Sequence, residues 1–372
     1  MIKSDSMPAR LGERFLAYAN SDYQDLAMDA TASYAASGIA VRDQSPFEVL
    51  ARANSRGYDN PILVDVGIWT SQVASHRSPT ILCQPGALVP HMSLDSWASP
   101  LLAAGATALA TPSKFVRVGD WRSLRAVVEA GEETSLPEVL TLVATDAAML
   151  DPPHQQRFIR VLKSTRRPLA LVFAAKSRPL GGHGRPAGLR KVVSDVSGSI
   201  LLAVEPIAAA DAVSFGAGAV AIGMTGGLRQ PRRPGDPGGG PNALNFTPGL
   251  FLRELWEHRS PDTYADWFAN SLSPTCHVCG GRALDSFGRD PSDKEAVLRH
   301  NVHAWLGVHA DLHGLDLGAR RLMLAAERAD ALVAHLRLRP AAGYVEADSV
   351  LRQLVELDDP NGRRTTPQGA WR

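Results

Sequence analysis

Residues 140–176 read LTLVATDAAMLDPPHQQRFIRVLKSTRRPLALVFAAK, and this stretch decides the fold. Leu140–Leu150 begins as a near-continuous apolar run. The segment from Pro152 to Thr165 then carries apolar residues at helical spacing, and Pro168–Lys176 is apolar again. A strand that is apolar throughout, rather than alternating, has both faces covered, which is the mark of a parallel sheet crossed by helices. The same unit recurs outward in both directions. Toward the N-terminus lie Pro61–Trp69 and Ala106–Phe115, the latter followed by the amphipathic WRSLRAVVEAG. Toward the C-terminus lie SILLAVEP, with the helical IAAADAVSFGA behind it, and AVAIGMTGG. Steady strand–helix alternation of this kind predicts a (β/α)8 barrel in preference to an open doubly wound sheet. We expect the barrel to occupy residues 1–245, with its strands starting near residue 61.

The pattern changes at RQPRRPGDPGGGPN, a Pro/Gly/Arg loop without core-forming residues. After it, PGLFLRELWEH and DTYADWFANSL read as helices. Two long helical patterns, KEAVLRHNVHAWLGVHADLHG and GARRLMLAAERADALVAHLRLR, follow. Residues 246–340 are therefore expected to form a helical subdomain, and 341–372 a last helix with a polar tail.

Composition excludes several classes. The chain has 372 residues, 45% hydrophobic and 21% charged, which suffices for a full core and argues against disorder. A net charge of +1 provides no global field for nucleic acid. Three cysteines cannot build a secreted disulfide framework. The start MIKSDSMPARLGERF has no apolar signal core, and no run reaches the ~18 residues of a membrane span. A cytoplasmic, soluble protein with no membrane partner is expected.

Chemistry concentrates in SPTCHVCGGRALDSF and the later LRHNVHAW. Cys276 and Cys279 flank two residues and are followed by Gly280 and Gly281. A metal knuckle, a redox pair and two buried thiols all share the CxxC spacing. The glycines let backbone N–H groups turn toward thiolates and make a poor helix start, which favours Zn2+ over redox chemistry. His300, on the next helix, is the third ligand. His277, His303 and Asp285 are candidates for the fourth. Cys83 reads as an ordinary buried thiol.

This layout resembles the tRNA-guanine transglycosylase superfamily, which includes the queuine and archaeosine tRNA-ribosyltransferases. That family's zinc motif is CxCxxC followed by a helix with a His-Asn pair. PTCHVC matches its last two cysteines, and His300-Asn301 stands in place, whereas Pro274 falls at the first cysteine. VDVGIWTSQ resembles the family's DSGGFQ segment, with Asp65 matching the acid–base aspartate. VATDAAML resembles the strand whose aspartate, here Asp146, reads the guanine edge. No FDC-like segment, the seat of the family's nucleophile, occurs; Asp262 and Asp266 lie in the corresponding region but read as helical, and Asp236 lies in the Pro/Gly/Arg loop. The resemblance implies a guanine or 7-deazaguanine ligand, base exchange at a nucleoside of tRNA, DNA or another macromolecule, and a homo- or heterodimer.

Such exchange needs a carboxylate beneath the anomeric carbon and a second carboxylic group to move a proton. In a barrel these groups stand at the C-terminal strand ends, where Asp65, Asp146 and Glu205 fall. Gly223, Gly226 and Gly227, followed by Arg229, suit close backbone approach to a flat ligand or a phosphate. Three functions follow: a base-exchanging transglycosylase, a catalytically degenerate sensor or partner subunit, and an unrelated barrel enzyme acting on a phosphorylated metabolite.

Overall fold

The computed structural model describes residues 9–82, 92–237, 247–276, 279–342 and 345–360. Eight parallel strands close into a barrel: β1 (Phe15–Asn20), β2 (Ser37–Arg42), β3 (Ile62–Asp65), β4 (Ala108–Ala110), β5 (Val139–Asp146), β6 (Leu169–Ala174), β7 (Ile200–Val204) and β8 (Ala219–Gly223). β1 pairs with both β2 and β8, which seals the ring. The helices that alternate with them are α1 (Gln24–Thr31), α2 (Pro46–Ser55), α3 (Leu94–Ala103), α4 (Trp121–Gly131), α5 (Pro152–Leu162), α6 (Arg185–Asp195), α7 (Pro206–Ser214) and the single turn α8 (Gly226–Arg229).

The barrel is the predicted fold, but its strands begin at Phe15 and not near residue 61. β1 and β2, FLAYAN and SGIAVR, are too rich in small and polar residues to stand out as apolar runs. Side-chain parity shows what they contribute. Leu16, Tyr18, Ala40, Leu63, Leu142, Val172 and Leu202 form the inner core, while Phe15, Ala17, Ile39, Val64, Val143 and Leu171 pack outward with the helices. On β8 the inward residues are Ala219 and Ala221, so Gly223 takes the inward position at the C-terminal mouth. Trp69, Phe115 and Leu228 belong to the same inner cluster, and all three are buried. They follow β3, β4 and β8, and therefore roof the mouth.

Beyond β8 the chain forms a hairpin, β9 (Leu250–Leu252) and β10 (Glu257–Arg259), then α9 (Pro261–Trp267). The segment PGLFLRELWEH is thus a hairpin and not the predicted helix. Its turn places Trp256 at φ 54°, a left-handed conformation that apolar spacing does not reveal. A two-stranded knuckle follows, β11 (Thr275–Cys276) and β12 (Arg282–Ala283), then α10 (Pro291–Leu312), α11 (Leu317–Arg337) and α12 (Ser349–Asp358).

α10 packs on α1, β1 and α7, the place of the eighth barrel helix. Its Leu298, Val302, Trp305 and Leu306 join the main core. The hairpin, α9 and the knuckle have a small core of their own, built on Leu250, Leu252, Tyr264, Trp267, Leu284 and Phe287. They form an excursion between β8 and the helix that covers it. α11 lies on α7, and α12 lies on α6 and α11. The expected C-terminal helix is α12; the polar tail beyond residue 360 lies outside the described residues. No helix among the described residues is long and apolar enough to cross a membrane.

Candidate functional site: a metal knuckle and the barrel mouth

The turn after Cys276 depends on Gly280 and Gly281, whose φ angles of +67° and +80° suit glycine. Gly281 N–H donates to the Cys276 carbonyl at 3.0 Å and closes the knuckle. This brings Cys276 and Cys279 against His300 on α10, with ligand atoms all within 4.8 Å of one another. The Phe251 carbonyl lies 2.9 Å from His300 Nε2, so that nitrogen must donate. The lone pair is then on Nδ1, which lies 3.3 Å from Cys279 Sγ. Burial holds the His300 pKa below its ordinary value and keeps the ring neutral. Burial, and then Cys276 beside it, push the Cys279 thiol up to about 12; a dication would reverse that preference. Two thiols and an oriented imidazole form a donor set that can hold a metal ion.

Asn301 extends the arrangement. Its Oδ1 accepts from Phe251 N at 2.7 Å and its Nδ2 donates to the Gly249 carbonyl at 2.8 Å. The His-Asn pair therefore clips β9 onto α10. Two of the candidate fourth ligands are elsewhere. His303 Nδ1 meets Tyr34 Oη at 3.1 Å on the barrel side of α10, and Asp285 is exposed and outside the cluster. His277 and Cys83 lie outside the described residues.

At the barrel mouth the structure separates the expected site residues. Asp65 is completely buried and points inward. Its carboxylate accepts from Tyr18 Oη at 2.7 Å, Trp69 Nε1 at 3.0 Å and Gly67 N at 2.8 Å. Arg42 lies over the Trp69 ring at 5.7 Å. This carboxylate ties β1 and β3 to the roof; in this structure no face of it is open to a ligand. Asp65→Asn is expected to cost about 2–3 kcal/mol, because in either orientation the amide NH2 would confront at least one buried donor. Urea unfolding measures this, and an unchanged midpoint would show that the carboxylate is dispensable to the fold.

Asp146 ends β5, also inward by parity. Its Oδ1 caps Ala148 N at 2.9 Å and its Oδ2 accepts from Arg233 Nη1 at 3.1 Å. Arg233 reaches it from the Pro/Gly/Arg loop and also holds Asp236 at 2.8 Å. The carboxylate expected to read a base edge is thus occupied by the chain's own guanidinium. Asp262, exposed on α9, pairs with Arg289, and Asp266 accepts from Ala342 N at the end of α9. Neither is at the mouth.

Gly223 is a packing position and not a ligand contact. A Cβ there would lie 2.3 Å from Leu228 C and Arg229 N. Gly226 and Gly227 are different: a Cβ on either meets nothing within 4 Å, and both line a cleft of about 320 Å³. Arg229 lines it too, but is buried, with Nη1 donating to the carbonyls of Gly223 at 3.2 Å and Met224 at 3.0 Å.

Glu205, at the end of β7, also lines this cleft and accepts from Gln230 Nε2 at 2.5 Å. Desolvation, larger than the opposing pull of Arg229, raises its pKa. A raised folded-state pKa favours the fold below the ordinary carboxylate range and costs stability as pH rises through the raised value. Glu205→Gln should therefore raise the melting temperature more at pH 7 than at pH 4. An equal effect at both pH values would contradict this. His258 and Lys176, which line the same cleft, were not legible as site residues. His258 was hidden by the helical reading of ELWEH.

A scan against protein-family models finds no match, and no curated protein matches the chain.

Proposed function

We propose that the chain is a transglycosylase-like barrel that does not exchange bases and serves as a partner subunit for an active enzyme. One observation carries this. The inward position at the end of the last strand, where a carboxylate would have to stand beneath a ribose, is Gly223, and the backbone of Leu228 and Arg229 fills its side-chain space. The roof of Trp69, Phe115 and Leu228 and the Asp146–Arg233 pair agree with it, since neither leaves a base an open seat over the barrel axis. The His-Asn helix and the knuckle are the parts of the family pattern that support the kinship. In this reading Cys276, Cys279 and His300 hold Zn2+, which acts as a clamp that fixes the hairpin and knuckle on α10.

The test is incubation with labelled guanine and 7-deazaguanines, with tRNA and with duplex DNA, scoring incorporation and binding separately. The expected result is no incorporation by the isolated chain. Incorporation that Asp65→Asn abolishes would replace the proposal with the enzymatic reading. Saturable base binding without incorporation would favour a deazapurine sensor over a partner subunit.

A further inference from the structure

The cleft that holds Glu205 is not accounted for by a silent partner subunit. It lies between the ends of β7 and β8 and the β9–β10 hairpin. Its lining includes five basic residues, Lys176, Arg178, Arg229, Arg232 and Arg259, against three carboxylates, Glu205, Glu257 and Asp348. Two of the carboxylates are committed within the fold. Glu257 accepts from Arg259 at 2.6 Å and lies 3.1 Å from His335. Asp348 pairs with Arg178 at 2.8 Å and caps Val350 N at 2.8 Å. Burial raises the pKa of the third, Glu205, which accepts from Gln230 Nε2 at 2.5 Å. The remaining excess is positive.

Arg229 is the centre of that excess. It is 5% exposed, and the acceptors around it are the Gly223 and Met224 carbonyls, both taken by Nη1. Its Nε is buried with no acceptor. The nearby His258, held neutral by burial and by the Arg229 charge, also has a buried Nε2 without a partner. Buried polar groups are almost always satisfied, so an under-satisfied guanidinium beside a cleft calls for a missing acceptor. An oxyanion is the group that satisfies a guanidinium fork. The open backbone at Gly226 and Gly227 leaves room for one to come close.

We propose that this cleft binds the phosphate of a small phosphomonoester, with Arg229 as the buried anchor and Lys176 and Arg232 adding charge. A volume of about 320 Å³ suits a sugar phosphate or a single nucleotide and is too small for a folded nucleic acid. Glu205 lies beside this anchor, held by Gln230 Nε2 at 2.5 Å. The proposal stands on the cleft alone and does not require a base to bind at the mouth.

The experiment is calorimetric titration of the full chain with inorganic phosphate and with ribose 5-phosphate, in chloride buffer free of other oxyanions. Saturable binding of both is expected, ribose 5-phosphate being the tighter. Lys176→Gln/Arg232→Gln, which alters only residues outside the core, should weaken both by about tenfold. Arg229→Gln should weaken them by about fiftyfold or more. Absence of saturable binding below about 10 mM for either probe would overturn the proposal. So would binding that the Lys176/Arg232 double variant leaves unchanged. Strongly salt-dependent binding of a single-stranded oligonucleotide, with neither small probe bound, would overturn it in favour of a backbone phosphodiester. Base incorporation in the earlier assay bears on the silent-subunit reading and leaves this result untouched.

Discussion

Arg328→Met is expected to lower the unfolding free energy by about 3–5 kcal/mol, the cost of leaving buried charges without their partner. Arg328, on α11, is 1% exposed. It donates to Asp211 Oδ1 on α7 at 3.0 Å and to Asp358 Oδ2 on α12 at 2.7 Å. Arg190, on α6, bonds to the same two carboxylates at 2.8 and 2.7 Å. Two guanidiniums and two carboxylates therefore form a closed, neutral set that joins four helices. Removing one guanidinium leaves the buried Asp211 and the part-buried Asp358 on a single cation. Urea denaturation at pH 7 measures the loss. Adding Asp358→Asn to Arg328→Met should return part of it, because the orphaned charge is then removed. A single variant within about 0.5 kcal/mol of the parent would show that the set is only solvated surface charge.

Cys279→Ser is expected to produce the second large effect. The variant should lose roughly one metal ion per chain, and with it the order of the hairpin, α9 and knuckle. Their small core, Leu250, Tyr264, Trp267 and Phe287 among it, would lose its anchor on α10. Elemental analysis reads the metal, and exposure of Trp267 should red-shift the fluorescence. The barrel should keep its far-ultraviolet signal, since α10 is held to it independently by Val302, Trp305 and Leu306. Full retention of metal in Cys279→Ser would remove Cys279 from the ligand set.

The sequence made some of this plain and hid the rest for identifiable reasons. β6 is apolar along its whole length and β5 nearly so up to Ala144, so both covered faces showed. β2 is SGIAVR; Gly38 is there because a Cβ would lie 2.4 Å from the Pro61 carbonyl, and that close approach weakens the apolar run. The Cys276, Cys279 and His300 cluster was legible because its two cysteines are three residues apart and the histidine follows within a helix. The surroundings of Asp65 were not legible. They depend on Tyr18, which lies on an unrecognised strand, and on the inward parity that only the closed ring defines. The burial of Arg229 was hidden because an arginine beside glycines and prolines reads as solvated.

α10 stands between α1 and α7 as the last cover of the ring, although the hairpin, α9 and knuckle separate it from β8. Its consequence is temporal. β1 leaves a ribosome well before its partners, and it must wait for β8 at residues 219–223 to pair and for residues 291–312 to shield the joint. At about 5–20 residues per second, the interval from β1 to the end of α10 lasts from ~15 s to about a minute. Through that interval Phe15, Ala17 and Ala19 have no outer layer from α10. A nascent-chain binder that covers short apolar segments should therefore be found on the first strand until the His-Asn helix has emerged.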